Sequence, residues 1–111
     1  MTYQVNLKFF RHNGYLFFKQ LITKKIIKKC LDTANKLKKK KFMSDEVSKY
    51  YEKSIKNKNR EILVRIENFY NKDINLTKLI RNKRIIKILQ DILEEQPILF
   101  KEKINYKLPG C

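Results

Sequence analysis

Few residues in this 111-residue chain have the side chains that catalysis or metal binding needs. The single histidine is His12, and the two cysteines, Cys30 and Cys111, lie far apart in the sequence. These residues match no zinc-ligand spacing, and the two glycines, Gly14 and Gly110, form no phosphate-binding loop. The sequence therefore predicts no catalytic residue, no metal, no cofactor and no small-molecule substrate, and we expect a protein that is not an enzyme.

Cationic side chains supply most of the remaining chemistry. The sequence holds 27 lysines and arginines against 11 aspartates and glutamates, for a formal net charge of +16. Charge of one sign at this density repels itself in a compact monomer, and a polyanion relieves the repulsion. Most of the charge lies in the first 43 residues. The composition therefore predicts that a nucleic acid or an anionic surface binds there.

The elements that would hold these cations are predicted to be helices. The chain contains only 2 glycines and 2 prolines, which argues against a turn-rich β fold. Apolar residues recur at helical spacing, with lysines on the opposite side. The predicted helices run from about Tyr15 to Lys41, from the N-cap Ser44 to Asn71, and from about Leu76 to Glu95. The second is either one continuous helix or two helices joined near residues 56–59.

These elements predict an all-α fold of two to three long amphipathic basic helices behind a short extended N-terminal arm. We expect the helices to be splayed over a larger assembly rather than packed as a compact globule. The chain divides into an extended arm (1–14), a basic helical region (15–84) and a C-terminal extension (85–111). Asp73 or Asn75 would cap the third helix. No apolar run reaches the length of a membrane span, so we expect a protein that is not transmembrane.

Lysines, arginines and tyrosines are the candidate contacts to RNA. Lysines along one side of the first predicted helix can neutralise backbone phosphates. Tyrosine rings can stack on unpaired bases. The candidate RNA-binding residues are Lys24, Lys25, Lys28, Lys38, Lys39, Lys40, Lys41, Tyr50, Tyr51, Lys53, Lys56, Lys58, Arg60 and Arg65.

Residues 50–61 read Tyr-Tyr-Glu-Lys-Ser-Ile-Lys-Asn-Lys-Asn-Arg-Glu. This stretch resembles a motif of the family of the twenty-first protein of the bacterial-type small ribosomal subunit, in its mitochondrial form. That family has an aromatic-Tyr-Glu-Lys-Pro motif, with a basic amphipathic helix before it and a run of basic residues after it. Ser54 stands where the family has proline. Other similar stretches are Arg65-Ile66 through Tyr70, Leu79 to Arg84, and Gly110-Cys111.

The resemblance implies a structural constituent of the small subunit of a mitochondrial ribosome that supports translation. Such a protein binds rRNA near the platform and the 3′ end of the small-subunit rRNA. Its partners would be small-subunit rRNA, neighbouring small-subunit ribosomal proteins and mRNA near the exit path, in the mitochondrial matrix. Transferred by position, Tyr50, Tyr51 and Lys53 would lie at the junction with rRNA, and the basic residues from Lys56 to Arg60 would neutralise phosphates.

Other functions stay open at this point. A helical accessory subunit of a mitochondrial membrane complex would lay its basic helices on an anionic bilayer. A DNA-binding module is a third hypothesis, although no short turn joins two helices in a helix-turn-helix pattern. The location has alternatives too, namely another organelle or the cytoplasm of an organism with an A+T-rich genome. The apolar stretch Ile98-Leu99-Phe100 predicts a protein–protein contact in the C-terminal extension.

Overall fold

The computed structural model describes residues 3–39 and 47–109. Four helices and three strands occur in these ranges, so the fold is mixed α/β and the predicted all-α fold of splayed helices is wrong. Three strands form one antiparallel sheet in the order β1-β2-β3. The elements are α1 (Leu7–Asn13), α2 (Lys24–Lys38), β1 (Ser48–Lys53), β2 (Glu61–Glu67), α3 (Ile74–Ile80), α4 (Lys83–Leu93) and β3 (Lys103–Asn105).

A β-hairpin made of β1 and β2 replaces most of the helix predicted from Ser44 to Asn71. Tyrosines in β1 and β-branched side chains in β2 favour a pleated conformation. Ser54 begins the connection, because its hydroxyl accepts hydrogen bonds from the backbone N–H groups of Lys56 and Asn57 at 3.2 and 3.3 Å. Its own N–H donates to the carbonyl of Arg60 at 2.9 Å. This local bonding turns the chain back on itself. The predicted N-cap Ser44 lies outside the described residues.

The first predicted helix is shorter than expected. Thr23 is the N-cap of α2, and its hydroxyl accepts a hydrogen bond from the backbone N–H of Ile26 at 3.3 Å. The residues from Tyr15 to Thr23 are therefore not helical, since the capping bond sets the start of the helix. Helix α2 ends at Lys38, and the part of the prediction that covers Lys40 and Lys41 lies outside the described residues.

The third predicted helix is two helices with a cap between them. Asp73, one of the two candidate caps, accepts a hydrogen bond from the backbone N–H of Leu76 at 2.8 Å and begins α3. Asn82 then caps α4, because its side-chain oxygen accepts from the backbone N–H groups of Arg84 and Ile85. A side chain that offers the backbone such a bond starts a new helix rather than continuing the old one.

The predicted extended arm contains helix α1. Asn6 caps its start, and Gly14 closes its end in a left-handed conformation with φ of 80°. The Gly14 N–H donates to the carbonyl of Phe10 at 2.7 Å, which is the bond that a left-handed C-terminal residue makes. An ion pair of 3.0 Å between Arg11 and Glu94 joins α1 to the end of α4.

The core lies between one face of the sheet and the helices α2 and α3. Its buried members are Leu37 of α2, Leu63 and Ile66 of β2, Phe69, and Leu76 of α3. These side chains come from distant parts of the sequence, so burying them joins the two helices to the hairpin. No helix within residues 3–39 and 47–109 is long and apolar enough to cross a membrane.

Candidate anion-binding site

A cluster of charged side chains lies on the face of the sheet opposite the core. Arg65 and Glu67 flank the fully buried Ile66 on β2, and successive side chains of a strand point to opposite faces. Tyr50 of β1 stands opposite Arg65 across the ladder, and Lys101 approaches from the segment before β3. We call Tyr50, Arg65, Glu67 and Lys101 the Arg65 cluster.

A β-bulge positions this cluster. Tyr50 is paired with Arg65, but the next residue of β1 is paired with Leu63, so Val64 is the extra residue of β2. The insertion shifts the alternation of side chains. Leu63 and Ile66 therefore both reach the core, although they are three residues apart. On the other face, the Tyr50 ring lies directly across the ladder from the Arg65 guanidinium.

Glu67 is a buried carboxylate held between two cations. Its Oε1 atom lies 3.1 Å from Nε of Arg65 and 3.2 Å from Nζ of Lys101. Burial raises the pKa of Glu67, but the hydrogen bond and charge of Lys101, the charge of Arg65 and a hydrogen bond from Tyr50 outweigh it. The pKa is therefore below its ordinary value, and the carboxylate stays ionised at neutral pH.

Arg65 is held in place on two sides and open on a third. Glu67 contacts its Nε atom, and this contact is an ion pair without aligned hydrogen-bond geometry. The guanidinium carbon lies 4.3 Å from the centre of the Tyr50 ring, which fixes the plane of the group. In the described part of the chain, no hydrogen-bond acceptor pairs with the two terminal nitrogens of Arg65. The side chain is half-exposed, so it offers an oriented fork to a carboxylate, phosphate or phosphonate.

The predicted RNA-binding residues of the first helix lie apart from this cluster. Lys24, Lys25 and Lys28 are exposed on α2, and Lys28 forms an ion pair of 3.0 Å with Asp32. Lys38 and Lys39 end the same helix, with the Lys38 ammonium 5.9 Å from the ring centre of Tyr106. The predicted sites Lys40 and Lys41 lie outside the described residues.

The predicted residues of the hairpin are divided between two places. Tyr50 and Arg65 belong to the Arg65 cluster, so the structure brings these two together. The others are exposed on β1 or on the connection to β2. Those others are Tyr51, Lys53, Lys56, Lys58 and Arg60. Contact of any of them with RNA stays a prediction.

A second basic feature is a groove of about 820 Å³ between the N-terminal residues and α4. Lys83, Arg84 and Lys87 line it together with acidic side chains. Most of these cations are already engaged, since Lys87 pairs with Asp91 at 2.6 Å and Arg84 donates to the carbonyl of Leu21 at 3.4 Å. The groove therefore combines cations with carboxylates.

Cys30 and the acidic residues offer no comparable site. Cys30 packs against the core, and burial together with the charge of Asp73 raises the pKa of its thiol. A thiol with a raised pKa is a poor nucleophile. Across residues 3–39 and 47–109, no three His, Cys, Asp or Glu side chains are close enough to hold a metal ion.

Two members of the Arg65 cluster are not among the site residues that the sequence predicts. Glu67 and Lys101 were assigned no role, although a single carboxylate inside the apolar stretch 62–69 is a usable signal. A charge in a strand that packs on a core is stable only when it is paired. Lys101 gives no such signal, because it lies among other lysines.

Comparison with known proteins finds no family profile and no solved structure that match the chain. A similar protein is the 2-aminoethylphosphonate dioxygenase of Uncultured bacterium HF130_AEPn_1, which is 28% identical over 100 residues. The match covers 90% of this chain and 38% of that enzyme, so the chain spans well under half of its relative's length.

The comparisons correct one expectation from the sequence and conflict with another. The resemblance to the small-subunit ribosomal protein family is wrong, because no ribosomal family matches and the motif Tyr50–Lys53 lies on a strand rather than beside a helix break. The ribosomal description of the protein loses its support with it. The expectation of a protein that is not an enzyme also conflicts with the comparison, because a relative named as a dioxygenase points toward an enzyme.

Proposed function

We propose that this chain forms one region of a dioxygenase-type enzyme and that the Arg65 cluster binds an anionic group of its small-molecule substrate. The observation that carries the proposal is the similarity to the 2-aminoethylphosphonate dioxygenase, which extends over 100 residues and 90% of this chain. A match of this extent covers most of the fold rather than one short motif.

The chemistry of the Arg65 cluster fits such a substrate. The compound in the relative's name carries a phosphonate, which is an oxyanion, and an amine. The terminal nitrogens of Arg65 present two parallel donors, and Lys101 adds a second cation beside them. Two cations and one carboxylate leave the cluster with one net positive charge, so it attracts an anion without the help of the surface lysines.

Activation of molecular oxygen needs a metal ion or an organic cofactor. In the part of the chain that the structure describes, the residues present do not form a metal site. We therefore derive no chemical step through such a group. The role proposed for this region is to bind and orient substrate, which lowers the barrier by holding the reacting groups in place.

A chimeric enzyme tests the proposal. The 100 matched residues of the dioxygenase are replaced by those of this chain, and oxygen uptake is measured with 2-aminoethylphosphonate present and absent. We expect substrate-dependent uptake. A chimera that is folded and monodisperse but shows no such uptake would contradict the proposal.

Two variants of the chimera locate the anion site. Arg65→Gln removes the guanidinium fork, and a lost hydrogen bond to a charged group lowers kcat/KM by about 10- to 100-fold. Arg60→Gln is the matched control, because Arg60 is exposed on the hairpin connection outside the cluster. Equal effects of the two substitutions would show that general charge, not the cluster, attracts the substrate.

The other expectations concern polyanions. Binding to rRNA, ribosomal neighbours and mRNA stays a prediction, and so does the alternative of a membrane-complex subunit; the net charge of +16 is compatible with both. The mitochondrial location also stays a prediction, which only the resemblance implied. Sedimentation of tagged protein in a sucrose gradient separates them from the enzyme proposal. Release from a small ribosomal subunit by ribonuclease would favour an RNA partner, because phosphate contacts supply most of such affinity.

A further inference from the structure

The segment before β3 exposes large apolar side chains. Ile98 is 90% exposed and Phe100 is 98% exposed, and Leu99 between them is exposed as well. Isolated exposed apolar residues are common on protein surfaces, but three consecutive ones are typical of an interaction site. We call Ile98, Leu99 and Phe100 the apolar segment.

Strand β3 continues directly from this segment and lies at an edge of the sheet. Its three residues, Lys103 to Asn105, pair with β2 on one side. Within residues 3–39 and 47–109, no strand pairs with its other side. Unpaired N–H and C=O groups on an edge strand bind a further strand readily.

Lys101 connects the apolar segment to the proposed substrate site. It follows Phe100 in the sequence, and its ammonium lies 3.2 Å from Glu67. Protein that covers Phe100 would therefore also lie beside the Arg65 cluster. Removing water from that place strengthens the attraction between Arg65 and an anion, because the local dielectric constant falls.

We infer that the apolar segment and the free edge of β3 dock against a protein surface equivalent to the part of the dioxygenase that lies outside the matched region. This inference rests on the proposed function for the identity of the partner. The matched region is 38% of that enzyme, so the larger part of the enzyme is available to cover the apolar segment. In the chimera this partner surface lies on the same polypeptide, and it offers an apolar face with a strand edge.

Cysteine labelling measures whether the segment is covered. Phe100→Cys is introduced into this chain and into the chimera described above, both carrying Cys111→Ser to remove the terminal thiol. Cys30 packs against the core and has a raised pKa, so it reacts slowly and gives a low background. Ile55→Cys is the matched control, because Ile55 is 78% exposed in the hairpin connection, away from β3.

We expect the thiol at position 100 to react at least 10-fold more slowly in the chimera than in the isolated chain. The thiol at position 55 should react equally fast in both. Equal rates at position 100 would overturn the inference. So would protection in the isolated chain that grows with its concentration, because the occupant would then be a second copy. A chimera that cannot fold, although both parent proteins do, also counts against a fitting surface.

The same chimera distinguishes this inference from the proposed function. Protection at position 100 without substrate-dependent oxygen uptake would support the docking surface and contradict the enzyme activity. Substrate-dependent oxygen uptake without protection at position 100 would support the enzyme activity and contradict the docking surface. Replacing Ile98 and Phe100 with serine provides a second measurement, since it should lower the unfolding midpoint of the chimera while leaving that of the isolated chain unchanged.

Discussion

Truncation of Ile66 tests the packing that joins the sheet to the helices. Ile66 lies on β2 and is 0% exposed, among Leu37 of α2 and Leu76 of α3. Removing three carbon atoms from such a site costs the transfer free energy of the lost atoms and leaves a cavity. We expect Ile66→Ala to lower the free energy of unfolding by about 2–5 kcal/mol, and Ile66→Val by about 0.5–1.5 kcal/mol.

The magnitude is large for a domain of this size, which is stable by about 5–15 kcal/mol in total. Urea unfolding followed by circular dichroism measures it, and the slope against urea should not change. Ile55→Ala is the control, because Ile55 is 78% exposed and should change stability by less than about 0.5 kcal/mol. An Ile66→Ala variant no less stable than Ile55→Ala would refute the core described above. The valine variant keeps the test usable if the alanine variant is unfolded.

Three further substitutions follow from individual contacts. Burial raises the pKa of Tyr106 to about 12, and its hydroxyl donates to the carbonyl of Ala34 at 2.7 Å. Tyr106→Phe should therefore cost about 0.5–1.5 kcal/mol and remove a phenol that ionises near pH 12 from an alkaline absorbance titration. Asp73→Ala should cost about 0.5–2 kcal/mol in urea unfolding, because the cap to Leu76 is lost, whereas Asp73→Asn should cost little. The lowered pKa of Glu67 gives stability that is complete above the ordinary value of 4.5 and is lost as the pH falls through the folded pKa. Unfolding midpoints of Glu67→Gln should consequently depend less on pH below 4.5 than those of the unsubstituted chain, and parallel curves would contradict the ion pairs.

Local signals in the sequence predicted part of the fold. The apolar face of α2 was visible, and Leu37 of that face is buried in the core. One of the two candidate caps, Asp73, begins α3. Both features depend on residues within one or two turns of each other, so periodicity and capping rules detect them.

The sequence does not predict the hairpin, because its apolar residues fit the helical period of about 3.6 residues as well as the strand period of two. Tyr51, Ile55, Ile62 and Ile66 fit one side of a long helix, yet Ile55 is exposed and Ile66 is buried in the structure. Strand and helix patterns overlap over short stretches. The polar connection after Ser54 was the signal that mattered, since its serine and asparagine bonds turn the chain.

The error about the ribosomal motif has the same origin. The sequence pattern predicts that Tyr50 to Lys53 belong to an RNA-binding helix, because aromatic and basic residues are adjacent there. On a strand, adjacent side chains point to opposite faces. Tyr50 therefore joins Arg65 across the ladder, while Tyr51 faces away from it.

The role proposed for Arg65 depends on contacts that no short stretch of sequence encodes. Its spacing from Glu67 is local, but the Tyr50 ring comes from the paired strand and Lys101 comes from 34 residues beyond Glu67. Flexible lysines on α2 can neutralise many phosphates without orienting any of them. A guanidinium whose plane and Nε atom are both fixed instead favours one anion in one orientation. The geometry of this site therefore supports recognition of a small oxyanion better than it supports the sequence-independent binding of a polyanion.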